Sequence, residues 1–363
     1  MSYTDDDEEE FVLSSAAEEG DELYEHHRFV VDKGQEQLRI DKFLQYKLEK
    51  TSRNRIQKAT EAGAILVNGK AVKSNYRVKP GDLITIVFAH PPHEFTLIPQ
   101  KMDLDIIFED DHLIVLNKPP GLVVHPGHGN YSGTLVNGLL YHFQQLPKST
   151  SPHAGPADEI RPGLVHRIDK ETSGLMIVAK NEVAMTKLAK QFFDRTIERK
   201  YVALVWGDVK QDEGRIEGNI GRDKRERKAM AVYPEGDAGK HAATNYKVLE
   251  RLGYVTLVEC KLETGRTHQI RVHMKYAGHP LFNDDRYGGD KVVKGVDTAK
   301  YRQFVENCFT LISGQALHAK SLGFIHPATG ERMYFEAELP EGFRQLLEKW
   351  RNYISSTLKL QQD

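Results

Sequence analysis

The chain has 363 residues, 39% of them hydrophobic, with 50 Lys and Arg against 52 Asp and Glu and only two cysteines, Cys260 and Cys308. This length suggests two domains and allows a substantial core. Two cysteines exclude a disulfide framework and a four-cysteine zinc site, no apolar run reaches the roughly 18 residues of a membrane helix, and the acidic N-terminus is unlike a signal or transit peptide. A monomeric protein of the reducing cytoplasm is expected.

The charge is unevenly spread. Residues 1–25 carry 11 Asp and Glu and no Lys or Arg, which leaves 50 basic and 41 acidic residues elsewhere. Self-repulsion and a lack of apolar surface predict a disordered tail over 1–25. A first unit, 26–90, follows. Ile40, Phe43, Leu44 and Leu48 recur at helical spacing, and Ser52 can cap a second helix running to Gly63. Ala64–Val67, Lys70–Val72 and Leu83–Phe88 read as strands, the first two joined at Asn68-Gly69, a strong hairpin signal. Residues 33–88 hold 12 basic against 5 acidic residues, a pattern that suits a nucleic-acid partner. A proline-bearing linker, 91–103, leads to a second unit, 104–363.

In that second unit strand-like runs dominate: 113–116, 175–178, 201–206, 244–249, 255–262, 268–273 and 332–337. Glu182–Phe193 is the clearest helix, and Gly288–Tyr301 reads as an exposed insertion. Few crossover helices imply an α+β fold with a mixed, largely antiparallel sheet. Phe343, Leu346, Leu347, Trp350 and Ile354 form a stripe that fits core packing of a terminal helix. The run from Gly163 to Leu175 sets His166, Arg167 and Asp169 before an apolar strand, a place where loops carry reactive groups on a rigid base. Taken locally, Asp169 is equally well an ordinary turn residue.

Residues 38–88 resemble the S4 RNA-binding domain, through Arg39-Ile40-Asp41-Lys42-Phe43-Leu44, Ser52-Arg53, Gly63 to Gly69 and Lys79-Pro80-Gly81-Asp82. Arg39, Arg53, Arg55 and Lys58 are then expected to meet RNA phosphates near a helix N-terminus. Residues 104–340 resemble the RluA-type pseudouridine synthases, and the S4 domain ahead of them makes the chain most similar to the RluD branch, which acts on large-subunit (23S) ribosomal RNA. Besides the Asp169 segment, the likeness rests on Asn117 to Gly127, Arg199-Lys200-Tyr201, Thr264 to His273, Gly278-His279-Pro280-Leu281, Tyr287-Gly288 and Leu317-His318-Ala319. His166 before Arg167 favours this type over the RsuA type, where Gly is typical at that place; Ile168 replaces a more usual Leu.

The resemblance implies the chemistry. Uracil leaves C1′ of its ribose, turns, and rejoins through C5, and the developing positive charge on the sugar calls for a carboxylate. Asp169 would supply it, by attack on C1′ or by removing the 2′ proton, with Arg266 as the bidentate partner that keeps it ionised. Tyr201 would stack on the base and act as, or assist, the general base. Arg167 would enter the space left by the flipped uridine, whose extrusion costs a few kcal/mol; Lys118 and His125 would shape the pocket wall. Isomerisation is redox-neutral, so no cofactor is expected. His268 and His273, five apart on an expected strand, point to opposite faces, so no metal is expected either. RNA is the expected partner, ribosomal first and transfer RNA second, with no membrane association. A binding-only ribosome-assembly factor and a sugar glycosidase are the competing readings.

Overall fold

The computed structural model describes residues 24–48, 51, 53–88, 97–127, 130, 132–143, 163–224, 226 and 229–360. Among these, one compact unit runs to Leu97 and another begins at Ile98.

The first unit contains β1 (Tyr24–Val30), α1 (Ile40–Lys47), α2 (Arg53–Glu61), β2 (Ile65–Val67), β3 (Lys70–Ala71) and β4 (Leu83–Phe88). The strands form one antiparallel sheet in the order β1-β4-β2-β3. Ile40, Phe43 and Leu44 of α1 and Ile56 and Ala59 of α2 share a core with Ile65, Val67, Ile84 and Ile86. The expected Asn68-Gly69 hairpin is formed, with both residues left-handed (φ 50° and 77°), as a type I′ turn requires. Strand β1 corrects the expected tail at its end, because Tyr24 and Glu25 pair with Phe88 and Val87. Its polar sequence shows no alternation, so only pairing with a distant strand reveals it. The remainder of the expected tail (1–23), Ser52 and linker residues 91–96 lie outside the described residues.

The second unit is built on β5 (Ile106–Glu109), β6 (Leu113–Lys118), β7 (Ser173–Ala179), β8 (Glu198–Trp206), β9 (Glu213–Glu217), β12 (Ala243–Arg251), β13 (Val255–Leu262), β14 (Leu317–Ile325) and β15 (Arg332–Glu336), with the hairpin β10 (Asn219–Arg222) and β11 (Met230–Tyr233) apart from them. The nine strands run β5-β6-β7-β14-β8-β13-β12-β9, with β15 added beside β14. Every described pairing is antiparallel except β7 with β14. The helices are α3 (Leu135–His142), α4 (Glu182–Phe193), α5 (Gln269–Tyr276), α6 (Ala299–Phe309) and α7 (Glu341–Leu360). The expected mixed, mainly antiparallel α+β architecture is what forms. No described helix is long and apolar enough to cross a membrane.

Strand β7 is buried along its whole length, which explains its unbroken apolar run. Its second residue must be glycine: Gly174 has φ 110°, and a Cβ there would lie 2.3 Å from the Ala319 carbonyl oxygen of β14. The terminal stripe packs as expected, with Phe343, Leu346, Leu347 and Trp350 of α7 in one core with Trp206, Phe282 and Tyr301.

Two expectations are corrected. Residues 268–273, expected as a strand, begin α5 instead. Gln269 through Met274 are all buried, so the alternation of Ile270, Val272 and Met274 carries no information about period. The helix is closed by Gly278 (φ 86°) just beyond it. The second correction is partial: 290–300 is mostly exposed, as expected, but Tyr301, 2% exposed in the first turn of α6, donates its hydroxyl to the Lys294 carbonyl.

Candidate active site

The loop carrying Asp169 enters β7 and is tied down on both sides. Lys170 presents its carbonyl to the Gly121 amide (3.0 Å) and to the Lys118 ammonium (2.8 Å). Lys118 is fully buried at the end of β6 and spends its other two protons on the carbonyls of Pro119 and Leu122. Burial pushes its pKa down to about 7, against the pull of Glu171 and Asp169. It therefore ties the Asp169 loop to the end of β6 through three carbonyls. On the other side Ser313 donates to Glu171, and Gln315 donates to the Thr172 hydroxyl at 3.2 Å.

His166, at the loop's start, accepts the Ile177 amide proton at 3.0 Å and stacks on Phe192 at 4.7 Å between ring centres. Burial, aided by the nearby Arg199 charge, pushes its pKa down to about 3. At the loop's end Ser173 bonds Nδ1 of the buried His318 at 2.9 Å. Burial holds His318 down at about 4. Neutral histidines thus anchor both ends of the loop.

Asp169 has a side chain 22% exposed, half hidden yet reachable. Burial pushes its carboxyl up, but the nearby charges of His268, Arg271 and Arg167, with the Arg271 hydrogen bond, bring the pKa below the usual carboxylate value. Because burial also holds His268 down, the permanent charge of Arg271 is what counts at neutral pH. Its Nη1 donates to Asp169 Oδ2 at 3.1 Å, while Nε and Nη2 grip buried Asp284 at 2.8 Å each.

This corrects the expected partner. The Arg266 guanidinium does not reach Asp169; its Nε donates to the His241 carbonyl at 3.1 Å. Arg266 precedes α5 and its amide is bonded by the Gln269 side chain, whereas Arg271 lies on the helix face that meets the loop. The two arginines share one motif, and helix against strand decides which of them arrives. Burial and the like charge of Arg195 both depress the Arg266 pKa.

His268 falls by sequence in the Thr264–His273 motif on an expected strand, without a catalytic or binding role. It is the residue before α5, left-handed at φ 53°, and its Nε2 lies 3.9 Å from Asp169 Oδ1. On its other side Nδ1 is 2.8 Å from the Tyr287 hydroxyl, which also accepts the Met230 amide proton at 3.0 Å. Its left-handed backbone, uncommon for a non-glycine residue, leaves no mark in the sequence.

Tyr201 lies in β8, 6% exposed, and registers with Cys260 and Ala319. Burial raises its phenol pKa, Arg199 opposes this and the Asp169 charge adds to it, so the ring is neutral and the carboxylate is near. Arg167 is exposed and its charge is felt by Asp169. His125 is half-buried with Nδ1 on the Pro126 carbonyl at 2.8 Å. No described group of three or more His, Cys, Asp or Glu could hold a metal.

In the first unit, Asp41 is fully buried and gathers two of the basic residues singled out there, Arg39 and Arg53. Arg39 grips it at 3.1 and 2.9 Å, Arg53 donates at 3.0 Å and Gln57 at 2.7 Å. Burial would raise the Asp41 pKa, but these bonds hold it at about 2. Arg39 and Arg53 remain 39% and 41% exposed, so each guanidinium keeps an outward edge. Lys58 is half-buried; the Arg55 side chain lies outside the described residues.

Comparison with known proteins agrees with both units. Residues 112–276 match the model of RNA pseudouridylate synthases, and residues 38–84 match that of the S4 domain. An RNA pseudouridine synthase of Chlorobaculum parvum is 46% identical over 90% of this chain and 98% of its own. The ribosomal large subunit pseudouridine synthase D of Neisseria meningitidis serogroup B is 45% identical over 85% of this chain and 78% of its own. Among solved structures, human RNA pseudouridylate synthase domain containing 4 superimposes with a TM-score of 0.51 at 26% identity, covering 68% of this chain and 92% of that one. With that identity held over more than three quarters of each relative, the chain belongs to the RNA pseudouridine synthases and carries an S4 RNA-binding domain.

Proposed function

We propose that this enzyme isomerises specific uridines of large-subunit (23S) ribosomal RNA, with Asp169 as its catalytic carboxylate acting on a flipped nucleotide. The observation that carries the role of Asp169 is its setting: a partly open carboxylate held charged by Arg271 at 3.1 Å, beside a neutral buried tyrosine. An ionised oxygen facing the ribose stabilises positive charge developing at C1′ as the bond to uracil N1 breaks. The same oxygen can attack C1′ or take the 2′ proton. Tyr201, kept a phenol, suits packing on the base better than drawing the C5 proton itself. Arg167, exposed and with its charge felt by the carboxylate, would fill the gap that the base leaves. The ribosomal substrate is supported by relatives named for the large subunit. Arg39, Arg53, Arg55 and Lys58 would bring in the RNA backbone, and Arg266 with its like-charged neighbour Arg195 would take a phosphate near the site.

The test is tritium release from C5-labelled uridine in ribosomal and transfer RNA, followed by mapping of the modified positions. Release from 23S RNA is expected. Asp169→Asn should abolish release while leaving RNA affinity within a few-fold. Turnover by that variant would remove Asp169 from the role, and release from transfer RNA alone would remove the ribosomal substrate.

A further inference from the structure

Asp169 has two oxygens in different situations. Oδ2 is held by Arg271, while Oδ1 faces His268 Nε2 at 3.9 Å. That separation is too long for a hydrogen bond, and one oxygen placed about 2.8 Å from each atom spans it. The two side chains are 22% and 17% exposed, so a substrate atom can reach the gap.

The proton on His268 is set from behind. The Tyr287 hydroxyl oxygen accepts from the Met230 amide. Tyr287 is 2% exposed, and a buried phenol proton needs an acceptor. Among the described residues that acceptor is His268 Nδ1, at 2.8 Å. A neutral imidazole with Nδ1 accepting carries its proton on Nε2, the atom that faces Asp169. The left-handed backbone at residue 268 aims the ring there, a local cost met at a site that uses it.

We propose that His268 is a substrate-binding residue that, together with Asp169 Oδ1, grips the ribose 2′-hydroxyl of the target uridine and so selects ribonucleotides. The imidazole Nε2–H donates to the hydroxyl oxygen, and the hydroxyl proton is donated to Oδ1. A hydroxyl both accepts and donates from one atom, and the 2′-hydroxyl is the ribose hydroxyl adjoining C1′. The inference rests on the reading of Asp169 as the carboxylate at the sugar. It gives Tyr287 a positioning role, through the tautomer it imposes on His268.

Binding of product RNA tests it without interference from turnover. The probe is a 23S fragment that the enzyme modifies, made with either pseudouridine or 2′-deoxypseudouridine at the target, and affinity is read by fluorescence anisotropy. Loss of the hydroxyl is expected to weaken binding to the wild type about tenfold, as for a charge-assisted hydrogen bond. In His268→Asn, which suits the left-handed backbone but is too short to reach, the ratio between the two RNAs should shrink by at least about threefold. Tyr287→Phe, run through the same cycle, should shrink it less, and it carries the test if the first variant does not fold. An undiminished ratio in the folded variants would overturn the proposal. If Asp169→Asn is inactive and the ratio is undiminished, only the role of His268 fails; turnover by Asp169→Asn removes the underlying reading itself.

Discussion

Arg271 and Arg266 differ in what each would lose as lysine. Arg271 serves two carboxylates with three N–H groups, and lysine has a different donor geometry. Asp284, fully buried, would be left poorly paired, a loss of about 3 kcal/mol. Arg271→Lys should therefore lower the denaturant midpoint and reduce single-turnover isomerisation by at least about a hundredfold. Arg266→Lys should leave the single-turnover rate at saturating RNA within about threefold, with any loss confined to RNA affinity; an equal collapse of that rate would return Arg266 to the carboxylate. Both arginines were visible in one motif, and so were Asp169 and Tyr201, because their chemistry is carried by residue type. Which arginine reaches the loop depends on the path of α5, and that path is fixed by burial on all sides rather than by a sequence period. His268 was legible as a polar residue in the motif, but its role depends on a backbone angle and a tyrosine from another segment.

Elements anchored by neutral histidines respond to acid in a defined direction. His166 and His318 are held at about 3 and about 4, below the ordinary 6.5 of the unfolded chain. The unfolded state then binds more protons in this window, so stability is fully present above pH 6.5 and is lost as pH falls toward 4, by up to about 1.4 kcal/mol per unit for each group. Urea midpoints measured at pH 7 and pH 4.5 should show this loss, and a flat profile would contradict the anchoring. The Asp169 carboxyl is depressed below 3.8, so activity should fail through loosening of the loop before the carboxylate is protonated. The basic end of α2 depends likewise on Asp41. Asp41→Asn should destabilise the first unit by about 2 kcal/mol, because Arg39 and Arg53 lose the charge that orders them. The S4 elements were the most legible in sequence, since the Asn68-Gly69 turn and the helical spacing are local signals. Strand β1 was not, because only β4 makes it a strand.

For the whole molecule, catalysis and RNA capture have different sensitivities. Contacts to phosphate weaken with salt in proportion to their number, and each removed contact lowers the slope of log affinity against log salt by a little under one. Arg55→Ala and Lys58→Ala should each flatten that slope while leaving the single-turnover rate at saturating RNA unchanged; an unaltered slope would mean that this helix does not meet the backbone. The sheet class was readable from many strands and few helices. The order of strands was not, because the pairing of β7 with β14 joins segments whose sequences carry no mark of each other.

That pairing also sets when the enzyme becomes competent during synthesis. Ser173 and His318, whose hydrogen bond anchors the end of the Asp169 loop, are 145 residues apart. At roughly 5–20 residues per second a ribosome takes about 7–29 s to cover that distance. For this interval Asp169 already exists in the growing chain, but β14, which Gly174 must meet in register, has not been made. A nascent chain therefore holds Asp169 on a loop that lacks its Ser173–His318 anchor until β14 has been made.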